Sequence, residues 1–459
     1  MGLLMIRRRP VTTHVHGPAA RIGWFLLYLE ALMVPLVLTV LSLRPQELGI
    51  GIGIGVGEAL ALSLGLVAFS ALVVTVILPA RVSPLIAAFG IETILRIHRS
   101  IAKAAVLLVV MHLIAVLIED PRGLRIFDLA HTTWAARAAT VSTLALVLMV
   151  VLAVTRAHRQ PRYEGWRMVH NLLAWIVLGT AWLHVWWLRH LMTKPLLAIW
   201  FLGTGLLVLA LGVRRWLWLP LRARRRSYLL EEVRREPGDG VTLTIRADRH
   251  AGVPFAAGQF AWLKFGSTAF VFEEHPFSIS SSADRPRVKQ FTIKALGDFT
   301  ELLSGLRPGR RVFLDGPYGG FTIEGRDGSS GFMMIAAGVG ITPLLSMLRT
   351  LADRRDRRRH WLIVAARTVE ELMLRAEIEE VRKRLNLKVI EVISKPGPDW
   401  IGEAGRISGE LLARYLPRNP ARLNYFLCGP APMVHTVSHA LAAHGIPLRR
   451  IHTERFGTT

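Results

Sequence analysis

The sequence contains very little cysteine, which limits the redox chemistry open to it. Cys428 is the only cysteine among 459 residues. The chain can therefore form no intramolecular disulfide bond and has no Cys-x-x-Cys metal or iron–sulfur motif. Any redox centre must use other ligands.

Acidic side chains are also scarce. Lys and Arg number 57 against 33 Asp and Glu, which gives a net charge of +24. Such an excess suits binding to nucleic acid. However, basic clusters such as those at 7–9 and 222–226 flank apolar stretches, where positive charge fixes the orientation of a protein in a membrane. We therefore expect no nucleic-acid partner.

Long stretches before about residue 220 have few charged residues. A membrane-spanning helix needs about 20 apolar residues to cross a hydrocarbon core about 30 Å thick. Six segments meet this requirement, near 22–43, 57–80, 97–118, 133–155, 169–188 and 196–218. The first is too long for the core of a signal peptide and has no clear small-residue cleavage site. We predict an all-α membrane bundle of six helices over residues 1–226.

The distribution of basic residues predicts how this bundle is oriented. The N-terminal tail and the connections near 81–99, 156–167 and 213–226 are richer in Arg and Lys than the other connections. By the positive-inside rule, the N-terminus and everything after residue 220 face the cytoplasm. The third and fifth spans then run in the same direction, and we expect a multi-pass protein of the cell membrane.

Four histidines lie within the third and fifth predicted spans: His98 and His112 on one, His170 and His184 on the other. The two histidines of each span are fourteen positions apart, so each helix presents both imidazoles on roughly one face, about 21 Å apart along its axis. Parallel helices would pair His98 with His170 and His112 with His184. Two facing imidazoles do not complete a zinc or copper site, but they supply both axial ligands of a haem. The pattern predicts two haem sites stacked across the membrane.

Two alternatives to this assignment stay open. Each histidine could be a hydrogen-bonded polar residue in the interior of the bundle, although ionisable residues in membrane spans are rare and usually functional. The loop residues His131 and His190 are alternative ligands for the outer site.

The second half of the chain has the pattern of two water-soluble domains. Segments at 227–235, 241–248, 259–265, 289–295 and 310–314 read as short strands separated by Gly and Pro, which predicts an antiparallel β-barrel over 227–328. From Gly331 onward, apolar strands alternate with helices, which predicts a doubly wound parallel α/β domain over 329–459. A Gly/Ser-rich stretch near 326–331 separates the two.

Two short motifs in the predicted barrel indicate a flavin. The segment His275–Ser278 (HPFS) places a cation-capable ring, an aromatic ring and a hydroxyl on neighbouring positions. A flavin dinucleotide needs such partners for its pyrophosphate, its ring and its reactive nitrogen. The later segment GDFT precedes a helical pattern, so backbone N–H groups there can hold phosphate. The predicted FAD-binding residues are His275, Pro276, Phe277, Ser278, Lys294, Gly297, Asp298, Phe299 and Thr300.

The last domain carries a second set of nucleotide-binding features at the ends of its predicted strands. One strand runs into a Gly-Val-Gly turn, where glycine lets the backbone approach a dinucleotide pyrophosphate. Arg367 follows the next strand, where the adenosine ribose is read, and it favours the 2′-phosphate of NADPH over NADH. A third strand delivers a Cys-Gly-Pro sequence to the same edge. The predicted residues are Gly338, Gly340, Thr342, Pro343, Arg367, Cys428, Gly429 and Pro430.

Two residues are further candidates for the reacting end of this module. Cys428 is expected near the nicotinamide, although a lone cysteine is more often a buried and inert thiol. Phe456 lies three residues from the last residue. It is an exposed aromatic ring unless it covers something.

Together these residues and motifs resemble the ferric reductase and NADPH oxidase superfamily, and most of all its compact bacterial members. Proteins of this superfamily join a six-span, two-haem domain to a ferredoxin-reductase-like FAD and NAD(P)H module, and the resemblance covers nearly the whole chain. It implies that two of the histidines, His98 and His170, hold the inner haem, while His112 and His184 hold the outer haem.

The resemblance also implies roles for the flavin-site residues. Ser278 would lie by the reactive flavin nitrogen, Phe277 by the ring and His275 by the phosphates. Phe456 would stack on the flavin until the nicotinamide displaces it. Unlike the animal oxidases, the sequence has no Asp-x-Asp-x-Asp-Gly calcium loop, so no calcium partner is expected.

The activity that follows is a transmembrane oxidoreductase. Electrons would pass from NADPH to FAD, then singly through both haems to an acceptor on the outer face. Molecular oxygen, giving superoxide, is the first choice. A ferric chelate, a quinone and a partner protein stay open as alternatives, because no sequence feature separates them. A transporter regulated by nicotinamide nucleotides is an alternative of another class, but the polar groups at broken helices that it would need are not apparent.

Overall fold

A computed structural model describes residues 56–119, 130–159, 163–295 and 298–455, with isolated residues between 22 and 37. The chain divides into two compact units. Among the described residues, those of the helical unit fall within Pro18–Val82 and Ile91–Trp218, and those of the sheet unit fall within Ser83–Gly90 and Leu219–Thr459. The sheet unit therefore includes a short segment that lies, in sequence, between two apolar helices.

The first half of the described chain is helical. Five of its helices are long and apolar enough to cross a membrane, which confirms the prediction of a multi-pass membrane protein. Half of the residues of the expected first span, 22–43, lie outside the described residues, so this additional span, which would bring the number to six, stays a prediction. The helices are α1 (Val56–Ile77), α2 (Ser83–Phe89), α3 (Ile91–Glu119), α4 (Trp134–Arg159), α5 (Tyr163–Trp187), α6 (Arg189–Met192), α7 (Pro195–Val213) and, after a π-helical turn at Arg214–Trp218, α8 (Leu219–Arg225).

The long helices of the helical unit pack in pairs. Helix α1 lies along α3, α4 lies along α5, and α1 also contacts α5 and α7. Large apolar side chains such as Leu107, Ile114 and Leu206 point outward and are more than half exposed. A helix that is apolar on all sides is typical of a membrane span, since its outer face meets lipid.

The sheet unit begins with an antiparallel sheet, as predicted. Its six strands have the order β4-β3-β6-β1-β2-β5, and an isolated bridge joins Ile279 to Phe291 beyond the end of β4. The HPFS segment forms the edge strand β4. The strands are β1 (Tyr228–Glu236), β2 (Gly240–Ala247), β3 (Phe260–Phe265), β4 (His275–Ser278), β5 (Val288–Lys294) and β6 (Arg311–Tyr318), with the short helix α9 (Asp298–Leu302) after β5.

Two short helices from the first half of the chain pack on this sheet. Ala223 of α8 forms a buried cluster with Ala269 and Phe313. Helix α2 approaches so closely that a Cβ atom added at Gly320 would lie 2.3 Å from the Ala87 carbonyl oxygen. The sequence did not reveal this contact, because nothing in SPLIAAF distinguishes a docking helix from an ordinary loop.

The last part of the chain forms a parallel sheet with flanking helices, which confirms the predicted α/β domain. The strand order is β10-β9-β8-β7-β11-β12, and all described pairs are parallel. The strands are β7 (Phe332–Ala337), β8 (His360–Ala366), β9 (Leu387–Ile393), β10 (Glu403–Ala404), β11 (Asn424–Gly429) and β12 (Ile451–Arg455); the helices are α10 (Ile341–Asp353), α11 (Arg375–Arg382), α12 (Gly409–Tyr415) and α13 (Ala431–Ala443).

Helix α10 joins the two sheets. The Ser346 hydroxyl donates to the Ser281 carbonyl oxygen at 2.7 Å, and the Arg349 guanidinium donates to the Ser280 carbonyl oxygen at 3.0 Å and to Gln290 Oε1 at 2.7 Å. Leu344, Leu345 and other apolar residues of α10 are buried in a core shared with the antiparallel strands. The helix that starts at the glycine turn is thus fixed against the residues that follow HPFS.

A buried histidine makes the parallel sheet sensitive to acid. His360 is fully buried, and its Nδ1 accepts a hydrogen bond from the Phe332 N–H at 3.2 Å. Burial lowers the pKa of His360 to about 4. Between the ordinary pKa of about 6.5 and this value, the unfolded chain binds the extra proton. Stability is therefore lost as the pH falls through this window, by up to about 3 kcal/mol.

Replacing His360 with Gln is expected to flatten that dependence, because an amide oxygen can accept the Phe332 N–H without being protonated. Thermal melting should show a larger fall in Tm between pH 7 and pH 5 for the unsubstituted protein than for H360Q. H444Q, which changes an exposed histidine of the same unit, is the matched control and should behave like the unsubstituted protein. An equal fall in Tm in all three proteins would show that His360 does not cause the loss of stability in acid.

Candidate functional site

The four predicted ligand histidines lie on two helices of the helical unit. Helix α3 carries His98 and His112, and α5 carries His170 and His184. The ring centroids of His98 and His170 are 6.4 Å apart, with ring planes at 75°. His112 and His184 lie within electrostatic range of each other. The pairing requires α3 and α5 to run in the same direction.

A backbone carbonyl of α1 orients the His98 ring. His98 Nδ1 lies 2.9 Å from the Thr75 carbonyl oxygen. Four residues after Thr75 the chain has Pro79, which has no N–H and so cannot donate the helical hydrogen bond to this carbonyl. The Thr75 carbonyl oxygen can therefore accept a hydrogen bond from the His98 imidazole.

The two histidines of the other pair are held in the same way. His112 Nδ1 lies 2.8 Å from the Ala61 carbonyl oxygen, and His184 Nδ1 lies 2.9 Å from that of Ala135. Gly65 makes room for the first contact, since a Cβ atom there would lie 2.9 Å from His112 Cε1. A carbonyl oxygen only accepts, so Nδ1 carries the proton in each ring. Nε2 is then left with a lone pair for a metal ion.

The distance across the first pair fits a shared iron ion. A metal bound by two imidazoles lies about 2 Å from each nitrogen, and the radius of each ring adds about 1 Å, so the centroids should be roughly 6 Å apart. The observed separation is 6.4 Å. Two imidazole rings at this separation in apolar surroundings suit the axial ligand set of a haem.

In the sheet unit, the two predicted flavin motifs lie side by side. The Phe299 ring stacks on the His275 ring with centroids 3.8 Å apart and planes at 24°. Phe277 lies nearly parallel to Phe299, at 6.4 Å and 11°. Strand β4 pairs with β3 so that Ser278 lies opposite Phe260. The structure thus unites HPFS with the aromatic residue of GDFT in one set of stacked rings.

Two buried hydroxyls, one at the end of β4 and one three residues later, have unused hydrogen-bonding capacity. The Oγ atoms of Ser278 and Ser281 are buried and have no hydrogen-bond partner among the described residues. A buried hydroxyl is costly to leave unpaired, so each is suited to a polar atom of a bound ligand. Ser278 was predicted for this purpose, whereas Ser281 was missed because serine is common in loops.

The remaining FAD-site candidates have different positions. Pro276 is exposed, and Thr300 is half-buried next to Phe299. Lys294 Nζ lies 4.0 Å from a Glu371 carboxylate oxygen, so its charge is shared with an acidic residue. Gly297 lies outside the described residues, and only the backbone of Asp298 is described.

The nicotinamide motifs meet at the carboxyl edge of the parallel sheet. Strand β7 lies between β11 and β8, so the turn after β7, the Cys-Gly-Pro sequence at the end of β11 and Arg367 after β8 are neighbours. Gly338 has φ +54, a conformation that favours glycine. A Cβ atom at Gly340 would lie 2.2 Å from the Cys428 carbonyl oxygen. Both glycines are therefore required by the geometry of the turn.

Several side chains at this edge serve the turn itself. The Thr342 hydroxyl donates to the Val339 carbonyl oxygen at 2.9 Å, and Pro343 is buried in α10. Cys428 is fully buried, and burial together with Glu454 raises the pKa of its thiol. The thiol is therefore neutral at physiological pH. Gly429 continues β11 into Pro430, the N-cap of α13.

Arg367 is exposed at the end of β8, and the Lys395 N–H donates to its carbonyl oxygen at 2.8 Å. Lys395 is a second exposed basic residue at this edge, and it was not predicted. Phe456, predicted to cover the flavin, lies outside the described residues.

Three protein-family models match successive parts of the chain. Residues 64–181 match the ferric reductase like transmembrane component, residues 228–322 match an FAD-binding domain, and residues 334–439 match the oxidoreductase NAD-binding domain. This order is the ferric reductase/NADPH oxidase architecture, as the resemblance indicated. It shows a membrane-associated oxidoreductase with FAD-binding and NAD(P)H-binding domains.

Curated relatives match half of the chain or less. The reductase component of propane 2-monooxygenase from Rhodococcus jostii is 32% identical over 227 residues, which are 48% of this chain and 60% of that protein. The glycine betaine monooxygenase reductase subunit of Chromohalobacter salexigens is 27% identical, over 50% of this chain and 63% of that one. NADH-cytochrome b5 reductase 1 of Pyricularia oryzae is 28% identical, over 37% and 57%. The chain thus spans less than two thirds of the length of each.

Proposed function

Since its three matched domains give the chain the ferric reductase/NADPH oxidase architecture, we propose that it moves electrons from NADPH through FAD and two b-type haems to an acceptor across the membrane. The proposal includes a sixth span near 22–43, a barrel formed by the antiparallel sheet, and domain boundaries near 226 and 328. From the positive-inside rule, it places the sheet unit in the cytoplasm and the protein in the cell membrane.

The geometry of the inner histidine pair is the observation that carries the haem assignment. His98 and His170 face each other at 6.4 Å, and the Thr75 carbonyl leaves the Nε2 of His98 with its lone pair. The outer pair, His112 and His184, has the corresponding carbonyl contacts. Histidines that only satisfied one another would approach to hydrogen-bond distance instead of leaving room for a metal ion.

When bound, FAD accepts two electrons together as a hydride and releases them singly, as each haem iron requires. The chain orients the reactants around it. The Ser278 hydroxyl is available to the reactive flavin nitrogen, and the stacked rings of His275, Phe277 and Phe299 supply flat surfaces. Phe456 would cover the flavin until the nicotinamide arrives. Cys428, buried and neutral, packs beneath the nicotinamide site.

Molecular oxygen is the proposed acceptor, with superoxide as the product. A ferric chelate is the second candidate, favoured by the match of residues 64–181 to a ferric reductase like component. Purified protein given NADPH in air should reduce cytochrome c, and superoxide dismutase should abolish that reduction. Reduction of ferric citrate under argon, with no dismutase-sensitive signal in air, would instead select the chelate.

Replacing Arg367 with Glu is expected to weaken the binding of NADPH but not that of NADH. A charge-assisted hydrogen bond contributes about 1.5–3 kcal/mol, and because Arg367 is exposed the lower value applies, which is about tenfold in KM. The KM for NADH, which has no 2′-phosphate, should stay the same or fall. Arg359→Glu, at the opposite end of the same strand, is the matched control. An equal rise for both nucleotides in R367E would contradict this role.

A further inference from the structure

One of the four predicted ligand histidines, His170, is held by a different kind of contact from the other three. Carbonyl oxygens hold His98, His112 and His184 through Nδ1. In the part of the chain that the structure describes, no hydrogen bond holds a ring nitrogen of His170. Something else must fix the plane of this imidazole, because rotation about its side-chain bonds would turn its lone pair away from the opposing ring.

The ring that contacts His170 is an indole one helical turn earlier. Trp166 stacks on His170 with centroids 4.9 Å apart and planes at 19°. Positions four apart on a helix face the same side, so both rings project from α5 together. Because the two rings are stacked nearly parallel, the indole restricts the rotation of the imidazole about its Cβ–Cγ bond.

An arginine from the neighbouring helix holds the indole in turn. The guanidinium of Arg156, on α4, lies over the Trp166 ring at 4.2 Å from its centroid. A cation over an indole face is attracted by the ring quadrupole, most strongly where water is scarce. Arg156 also lies within electrostatic range of His170. Arg156, Trp166 and His170 thus form a chain of contacts, called here the α4–α5 stack.

The two histidines of the inner pair are therefore oriented by two different kinds of contact. The Thr75 carbonyl sets the His98 plane, and the indole sets the His170 plane. The two planes end up 75° apart. The mutual angle of two axial imidazoles controls the splitting of the iron d orbitals and hence the g-values of a ferric low-spin haem.

We propose that Trp166 and Arg156 are positioning residues for the inner haem, with Trp166 fixing the plane of His170 and Arg156 immobilising the indole. This inference rests on the proposed haem function. It predicts that the inner and outer haems differ spectroscopically. The positive charge of Arg156 also favours the reduced haem, which carries one positive charge fewer, and so raises the midpoint potential of the inner site.

The test uses full-length protein carrying His112→Ala, in which only the inner haem is expected. Electron paramagnetic resonance of the ferric form and a redox titration are recorded for this background and for added Trp166→Leu, Trp166→Phe and Arg156→Gln. Trp175→Leu is the matched control, since this tryptophan of the same helix packs on Gly212 of α7. We expect W166L to shift the g-values, W166F to restore them toward the starting signal, and R156Q to lower the midpoint potential. W175L should change neither.

A W166L protein that keeps its haem with unchanged g-values would overturn the proposal, as would a shift of equal size in W175L. Loss of the haem in W166L but not in W166F or W175L would support it, because an aromatic surface at this position would then be what retains the ligand. Failure of the haem function is seen separately, since the unsubstituted protein would then contain no bis-histidine haem before any tryptophan is changed.

Discussion

Replacing His112 with alanine is expected to lower the haem content of the purified protein from two per chain to one. The Ala61 carbonyl fixes the His112 ring, and Gly65 leaves room for the ring because it has no side chain. Removing the ring would leave His184 as the one remaining histidine of the proposed outer pair. Electron transfer to an external acceptor should fall at least about a hundredfold, since even residues that only support a metal ligand affect activity by about 10- to 100-fold.

The haem loss is measured from the pyridine haemochrome spectrum per mole of protein. His131→Ala is the matched control, because His131 is an exposed histidine and an alternative candidate for the outer ligand. H131A should retain both haems. Two haems in H112A, or one in H131A, would contradict the assignment of the outer haem to His112 and His184.

The second large effect is expected from Gly340→Ala. Its φ of −60° suits alanine, so the substitution acts through space alone. The new Cβ would lie 2.2 Å from the Cys428 carbonyl oxygen and 3.0 Å from the Gly429 nitrogen. Both are backbone atoms at the end of a buried strand. Overpacking of this kind costs about 1–3 kcal/mol and displaces the backbone, here at the dinucleotide turn itself.

Flavin reduction by NADPH in G340A should be slowed at least about tenfold, because a misplacement of about 1 Å at a binding turn can cost far more than that. The FAD content should be retained, since the FAD site is built by other strands. Dithionite should still reduce the haems. Gly397→Ala, where an added Cβ meets nothing within 4 Å, is the control. A normal rate of flavin reduction in G340A would show that the turn can relax.

The parts of the fold that the sequence predicted are those encoded by strong local periodicity. Apolar runs long enough to span a membrane predicted the helices, and the alternation of strands and helices after Gly331 predicted the parallel sheet. The fourteen-residue spacing placed the two histidines of each span on one face, because helical geometry converts sequence distance directly into depth and angle. The parallel direction predicted for the two spans then paired His98 with His170.

The parts that were missed depend on contacts between segments distant in sequence. Gly65 and Pro79 matter only because α1 lies along α3, so their roles cannot be recognised from their neighbours in the chain. Trp166 matters only because its ring stacks on His170, and no sequence motif marks that contact. Helix α2 has no distinctive sequence, and its packing beside Gly320 required the folded sheet.

The most direct test of the proposed function is the route of electrons within the purified protein. NADPH added under argon should reduce the flavin and then give the absorption spectrum of two reduced b-type haems, with no other reductant present. The account predicts full reduction of both haems by NADPH and slow reduction by an equal concentration of NADH. Protein that binds FAD and oxidises NADPH while its haems stay ferric, or that contains no haem, would contradict it.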